Sequence, residues 1–439
     1  MSGLLPIVLL LSGGYFLIRL RAFFITHPIK TFKALAAHCR EEGKGAYVRM
    51  SLALAGTLGV GNVTGVAVGI LVGGAGSVFW LFLSALFSAP LKYAESVAVL
   101  SVGGAEKKSG GMLPVIEKSH PLAGKTLAVL YAILSVCLAL VMGSALQSAS
   151  VFEGMREILG IGYARVLLCI FAFMLFFCIF GPSERISRVT AVLIPIAMIM
   201  YAFICIVTIF YNFSRLPMAL CVVFENAFTL RAVGGGAVGI AVRSPLREGF
   251  LRGLLSNEAG AGTSAYAHAD GRKKHTVSEG ILGMLEVVFD TVLLCMLTAF
   301  SILLSVEDPS AFDSGMALLC SAFSFALGRA YAPLLLASVF LFALSTSVCW
   351  YEYGRIALRY LGKHAGGLYF LSYLACLFFG AFLRSERLVP ICDAVFFFLC
   401  PISLFALIKS SAAICAETDR FLLAKERGDP SAARGGNQK

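Results

Sequence analysis

The sequence predicts an all-α polytopic membrane protein, and three observations carry that prediction: apolar composition, apolar runs of spanning length, and basic residues gathered in alternate connectors. Of 439 residues, 59% are hydrophobic and 14% charged, with a mean hydropathy of +0.86, which leaves too few charges to cover a soluble surface. Runs such as 126–142, 166–180 and 189–210 approach or reach the ~20 apolar residues that one bilayer crossing needs. The net charge of +11 sits in short connectors and not on a stripe interleaved with aromatics, so it reads as loop charge on one membrane side and not as a nucleic-acid surface.

Taken in order, the apolar runs give about eleven spans: 4–24, 46–70, 75–101, 125–149, 163–181, 187–212, 216–242, 276–305, 330–361, 367–383 and 388–410. The first has no basic region before it and is followed by Arg19 and Arg21, the reverse of a cleaved signal, so it is expected to remain as a helix. The next connector holds Lys30, Lys33, Arg40, Lys44 and Arg49 and is expected to face the cytoplasm, which puts the N-terminus outside and the C-terminus inside the cell membrane. The acidic loop with Glu307, Asp308 and Asp313 then falls outside; Arg384 and Arg387 are exceptions. After Lys409 a short amphipathic helix and a disordered end are expected. The 13 cysteines are scattered without metal-ligand spacing and read as small packing residues, so no transition-metal site and no cofactor are expected. No HExxH or GxSxG stands in the spans, so the chain is not expected to be an enzyme.

Setting the first helix aside (residues 1–45 with its connector) leaves two sets of five: 46–213 and 214–410, followed by a tail, 411–439. An odd number of helices inverts the second set against the first. Each set carries a glycine-interrupted run near its start, 56–62 in one and Gly234, Gly235 and Gly236 in the other, and paired broken helices are the best sequence pointer to a substrate site in an inverted-repeat transporter. Glycine weakens a helix and frees backbone groups that hydrocarbon cannot solvate. A carboxylate ligand satisfies the freed N–H groups and a monovalent cation the freed carbonyls. Gly61, Gly65, Gly69 and Gly73, four apart, serve equally as a helix-packing ladder.

Several motifs resemble the alanine or glycine:cation symporters, the sodium:alanine symporter family: residues 59–67, then 73–80 and 92–95; residues 252–262 with 267–269; Asp290 and Thr291 with Cys295 and Thr298; residues 342–350 with Tyr353 and Gly354; Asp393 with Pro401. They stand in the family's order over nearly the whole chain. The resemblance implies a LeuT-like fold of five plus five inverted helices with an extra N-terminal helix, working by alternating access. It implies symport of a small neutral amino acid such as alanine or glycine with sodium as the coupling ion. By matching position, Thr57, Gly59 and Gly61 would hold the substrate carboxylate and Gln147 would add a hydrogen bond. Thr346 and Trp350, on one helical face, would close the pocket. Backbone oxygens around Thr57 and Leu58, with hydroxyls of Ser345, Thr346 or Ser347, would hold sodium, and Asn62 would fix the broken segment. Gln147 and Trp350 could also be packing residues, and Ser256, Asn257 and Glu258 read as a helix cap. Glu286 and Asp290 are either functional acids or partners of a basic residue, and His268 reads as a loop or gate residue. Where the family usually has Thr, Pro, Asn, an acid and Asn, this chain has Val60, Ala75, Ala149, Arg355 and Ile402. A different solute or proton coupling on the same fold, or a non-transporting receptor, are the rival readings.

Overall fold

The computed structural model describes residues 4–103, 110–228, 245–269, 271, 275–362 and 366–424. Helices carry nearly all of it, and no strand occurs among the described residues. In chain order they are α1 (Leu4–Arg19), α2 (Pro28–Glu42), α3 (Lys44–Thr57), α4 (Thr64–Gly73), α5 (Ser77–Gly103), α6 (Gly124–Leu159), α7 (Ile161–Ile179), α8 (Ser183–Tyr211), α9 (Leu216–Ala227) and α10 (Pro245–Ser256). There follow α11 (Thr276–Ser305), α12 (Gly315–Leu327), α13 (Tyr331–Tyr360), α14 (Gly366–Ala381), α15 (Ser385–Lys409) and α16 (Ser411–Ala424). Seven helical segments are long and apolar enough to cross a bilayer, and the bent pair α3 and α4 makes an eighth. Their outer faces are apolar too: α7 exposes Val166, Phe173 and Phe177, and α8 exposes Ile199 and Phe203, as helices facing lipid and not water must.

Helices α10 and α11 run along α5, while α6 and α8 run along α13. Close approach of α10 to α5 depends on Gly253, where a Cβ would lie 1.9 Å from Ser84 Oγ. The two groups enclose the breaks described below.

Two helices stand where the sequence suggests connectors. The basic connector contains α2, which starts with Pro28 at its first position and ends at Gly43 with φ 52°; a proline there is pre-organised for helix, and its charges hid the apolar positions that dock it. The stretch after the acidic loop contains α12, capped by Ser314 Oγ accepting from Ala317 N at 3.2 Å. At 13 residues it is about 20 Å long, too short to span, so a search for spanning runs passes over it. The tail expectation is met in part by α16; residues beyond 424 lie outside the described ones, as do Gly234, Gly235 and Gly236.

Candidate functional site

Helix α3 stops at Thr57, and the chain turns by 63° before continuing through a short turn, Val60–Asn62, into α4. Leu58 (ψ 81°) and Gly59 (φ −117°, ψ −163°) leave helical geometry. The backbone groups this frees are met by side chains from other helices, as a non-aqueous interior requires. Thr346 Oγ1 of α13 donates to Leu58 O at 3.2 Å, and Trp350 Nε1 donates to Gly56 O at 3.1 Å. Thr298 Oγ1 of α11 donates to Asn62 O at 3.1 Å, and Gly59 N donates to Asn62 Oδ1 at 3.3 Å. Asn62 therefore closes the turn locally.

A second break lies between α10 and a helical turn at Ala265–His268. Glu258, Gly260 and Gly262 have φ of 54°, 83° and 76°, the left-handed region that glycine enters freely and glutamate only under constraint. Glu95 of α5 organises this break: its Oε1 accepts from Gly260 N at 2.6 Å and Gly262 N at 3.1 Å, and its Oε2 accepts from Ser264 Oγ at 3.3 Å. Tyr131 OH donates to Ala261 O at 2.7 Å. Ser256 ends α10, as a cap reading expects, yet its hydroxyl reaches across to Asp290 Oδ1 at 3.0 Å. Of the three acids on α11, Glu286 pairs with Lys92 at 3.2 Å, Asp290 takes hydroxyl hydrogens, and Glu279 meets Arg49 and His38. The sequence held a signal for Glu95, since a buried acid in a span is functional by default, but spacing alone could not say that it serves a break about 165 residues away.

A cavity of about 700 Å³ opens over the first break. Its floor and walls include Val60, Gly61, Gln147 and Ser256, and its mouth includes Asp313 and Arg384. It therefore reaches the end of the bundle where α4, α6 and α11 finish, opposite the end where α2 lies. Gly61 lies on the cavity with nothing within 4 Å of where its Cβ would be. Gln147 is 3% exposed, donates through Nε2 to Met142 O at 3.2 Å, and leaves Oε1 without a hydrogen-bond partner among the described residues. A π-helical turn, Ala139–Leu146, precedes Gln147; such turns shift side chains out of the α register and recur at functional sites.

The remaining expected residues sit behind this surface. Thr57 and Leu58 are buried, and Gly59 is close to both Thr346 and Gln147: a Cβ there would lie 3.1 Å from Thr346 Oγ1 and 3.5 Å from Gln147 Nε2. Of the three consecutive hydroxyls expected to serve the cation, Thr346 reaches the break, Ser345 bonds Leu341 O at 2.8 Å in its own helix, and Ser347 Oγ has no partner among the described residues. Consecutive helical residues point about 100° apart, so three in a row cannot converge on one ion. Trp350 is fully buried and does not line the cavity. Its indole braces the first break from behind, against Gly143, whose Cβ would fall 2.2 Å from Trp350 Cβ.

Comparison with known proteins agrees with this architecture. The family model described as the sodium:alanine symporter family matches residues 1–434. The sodium/alanine symporter AgcS of Methanococcus maripaludis is 28% identical over 433 residues, covering 94% of this chain and 93% of that protein. The Bacillus subtilis protein described as "Probable sodium/glutamine symporter GlnT" is 26% identical over 440 residues, covering 98% and 90%. Among solved structures, MhsT in complex with L-phenylalanine matches with a TM-score of 0.51 at 11% identity, covering 85% of this chain and 98% of that one; at that identity the likeness shows the shared LeuT-like fold. A broken helix at a cavity, apolar helices facing outward and a family match along almost the entire length converge on one conclusion: this chain is an integral membrane transporter, not an enzyme, and belongs to the sodium:alanine symporter family.

Proposed function

We propose that the chain couples the inward movement of sodium to uptake of a small neutral amino acid such as alanine or glycine, by alternating access. The observation that carries this reading is the first break at the floor of a cavity open at one end. A zwitterion descending that cavity meets Gly61 and the free Oε1 of Gln147, the second of which suits an ammonium or amide N–H donor. The Leu58 carbonyl beside Thr346 Oγ1 offers hard oxygen to a monovalent cation, with Thr57 adjoining. In this reading the basic end carrying α2 faces the cytoplasm and the cavity faces outward, with the N-terminus outside and the C-terminus inside. The repeats are residues 46–213 and 214–410, each with a glycine-interrupted run near its start, 56–62 in the first and Gly234, Gly235 and Gly236 in the second. The first helix and connector (1–45) and the tail (411–439) stand outside the repeats.

A second reading, a larger amide-bearing amino acid in place of alanine, is favoured by the cavity volume of about 700 Å³. Uptake of labelled alanine, glycine and glutamine into proteoliposomes, with a sodium, lithium or proton gradient imposed in turn, tests both. Sodium-driven alanine or glycine uptake is expected. Uptake indifferent to sodium would end the coupling claim, and uptake of glutamine alone would select the second reading. The energetics are sufficient: one charge moving down about 100 mV releases roughly 2.3 kcal/mol before any concentration gradient.

A further inference from the structure

At the end of the bundle away from the cavity, a chain of charged side chains crosses from the connector helix α2 to α5. His268, in the turn after the second break, is fully buried between two acids of α11. Its Nδ1 lies 3.0 Å from Glu279 Oε2, and its Nε2 lies 2.5 Å from Glu286 Oε1. A neutral imidazole has one N–H and one bare lone pair. If His268 were neutral between two carboxylates, that lone pair would press against a carboxylate oxygen in a fully buried site.

The proton has a preferred place among these groups. Each acid already receives a cation on its other oxygen: Arg49 of α3 meets Glu279 Oε1, which also lies 2.9 Å from His38 Nε2 of α2, and Lys92 of α5 meets Glu286 Oε2 at 3.2 Å. Each acid thus lies between a cation and the ring, an arrangement in which a carboxylate accepts through both oxygens. The ring must then donate from both nitrogens. We propose that His268 is a proton-binding site, an imidazolium clasped by Glu279 and Glu286 while this end of the transporter is closed, and that its proton leaves when the end opens.

The link to motion follows from which elements meet there. Glu279 joins α2, α3 and the turn at His268 to α11; Glu286 joins the same turn to α5. Opening a path from the first break to this end requires α3 or the His268 turn to part from α11. Parting them exposes the ring to water and removes at least one carboxylate, so the proton is held less tightly in the open form. By linkage, protons from the medium at this end favour the closed form, and acid slows opening. The inference rests on the transport reading above, but its first test does not.

Ring-nitrogen NMR of isotopically labelled histidines in the full-length protein in nanodiscs identifies the His268 signal as the one missing in His268→Gln. Both nitrogens protonated at neutral pH is the expected result; a neutral tautomer overturns the proposal whether or not any solute is carried. In proteoliposomes under a fixed sodium gradient, wild-type uptake is expected to fall as the medium at this end is acidified, with a limiting slope of about tenfold per pH unit for one proton. His268→Gln is expected to be flat over the same range, and identical profiles overturn the proposal. Glu279→Gln keeps the ring and removes one carboxylate, so the midpoint should move to lower pH; an unmoved midpoint counts against the site. Absence of wild-type uptake at every pH would instead sink the transport reading and leave the NMR result to decide the proton.

Discussion

Gly59 and Gln147 differ in what they can lose. A Cβ at Gly59 would meet Thr346 Oγ1 at 3.1 Å and Gln147 Nε2 at 3.5 Å, so Gly59→Ala pushes on the groups that bond the break. Gln147→Ala removes only a side chain whose one described bond is to its own helix. The expected outcome is loss of uptake in Gly59→Ala through disturbance of both solute contacts. In Gln147→Ala the apparent affinity should weaken about tenfold with folding unchanged, as for one lost hydrogen bond of about 1.4 kcal/mol. Substrate-protected thermal melts together with uptake kinetics separate the two. If Gln147→Ala binds substrate as the wild type does, Gln147 is a packing residue and the pocket lies elsewhere. Trp350, expected from the family resemblance to close the pocket, illustrates the limit of positional inference: it lies fully buried, donating to Gly56 O, and nothing in its spacing from Thr346 could reveal which of its faces meets substrate.

At the scale of elements, the two breaks are built differently. The first is made by Leu58 and Gly59 leaving the helix, and its carbonyls are served by hydroxyl and indole donors from α11 and α13. The second is a run of left-handed residues whose amides converge on one carboxylate, Glu95. Gly262 is the tightest point: φ is +76°, and a Cβ would come within 2.5 Å of Met112 Cγ and 2.7 Å of Ser403 Oγ. Gly262→Ala should cost at least about 1–2 kcal/mol from the left-handed backbone alone, with overpacking adding to it. A lower melting temperature checks this, and a melt equal to wild type would mean that the second break can rearrange freely. The glycine run 56–62 was legible as a break because three glycines within six residues weaken a helix locally. The second break in the described residues lies in a stretch that sequence reading took for a helix cap, since Ser256, Asn257 and Glu258 have the residue types of a cap, and the tertiary role of Glu95 is what turns it into a break.

Over the whole molecule, the cavity is open at one end and the Lys92 to Arg49 charge chain spans the other. Gly65 lines the cavity with nothing within 4 Å of its Cβ position, so Gly65→Cys in a background without native cysteines should react with a membrane-impermeant thiol reagent added outside intact cells. Saturating sodium and substrate should slow that reaction. Labelling only after permeabilisation would reverse the proposed orientation, and labelling unaffected by substrate would detach the cavity from the transport path. Helix α2 carries His38 to the charge chain, and the segment leading into α12 forms part of the cavity rim.

The sequence by itself determined the class of protein, because apolar runs of bilayer length and charges confined to connectors are one-dimensional properties that survive without knowledge of contacts. It also determined the family, through motifs spread along the chain. Only the tertiary structure decided which side chains meet: that Thr346 and not its serine neighbours serves the first break, that Glu95 serves the second, and that His268 lies between Glu279 and Glu286. Those meetings join residues far apart in the chain through the crossing of packed helices, and helix crossings depend on side-chain surfaces that no periodicity along the chain encodes.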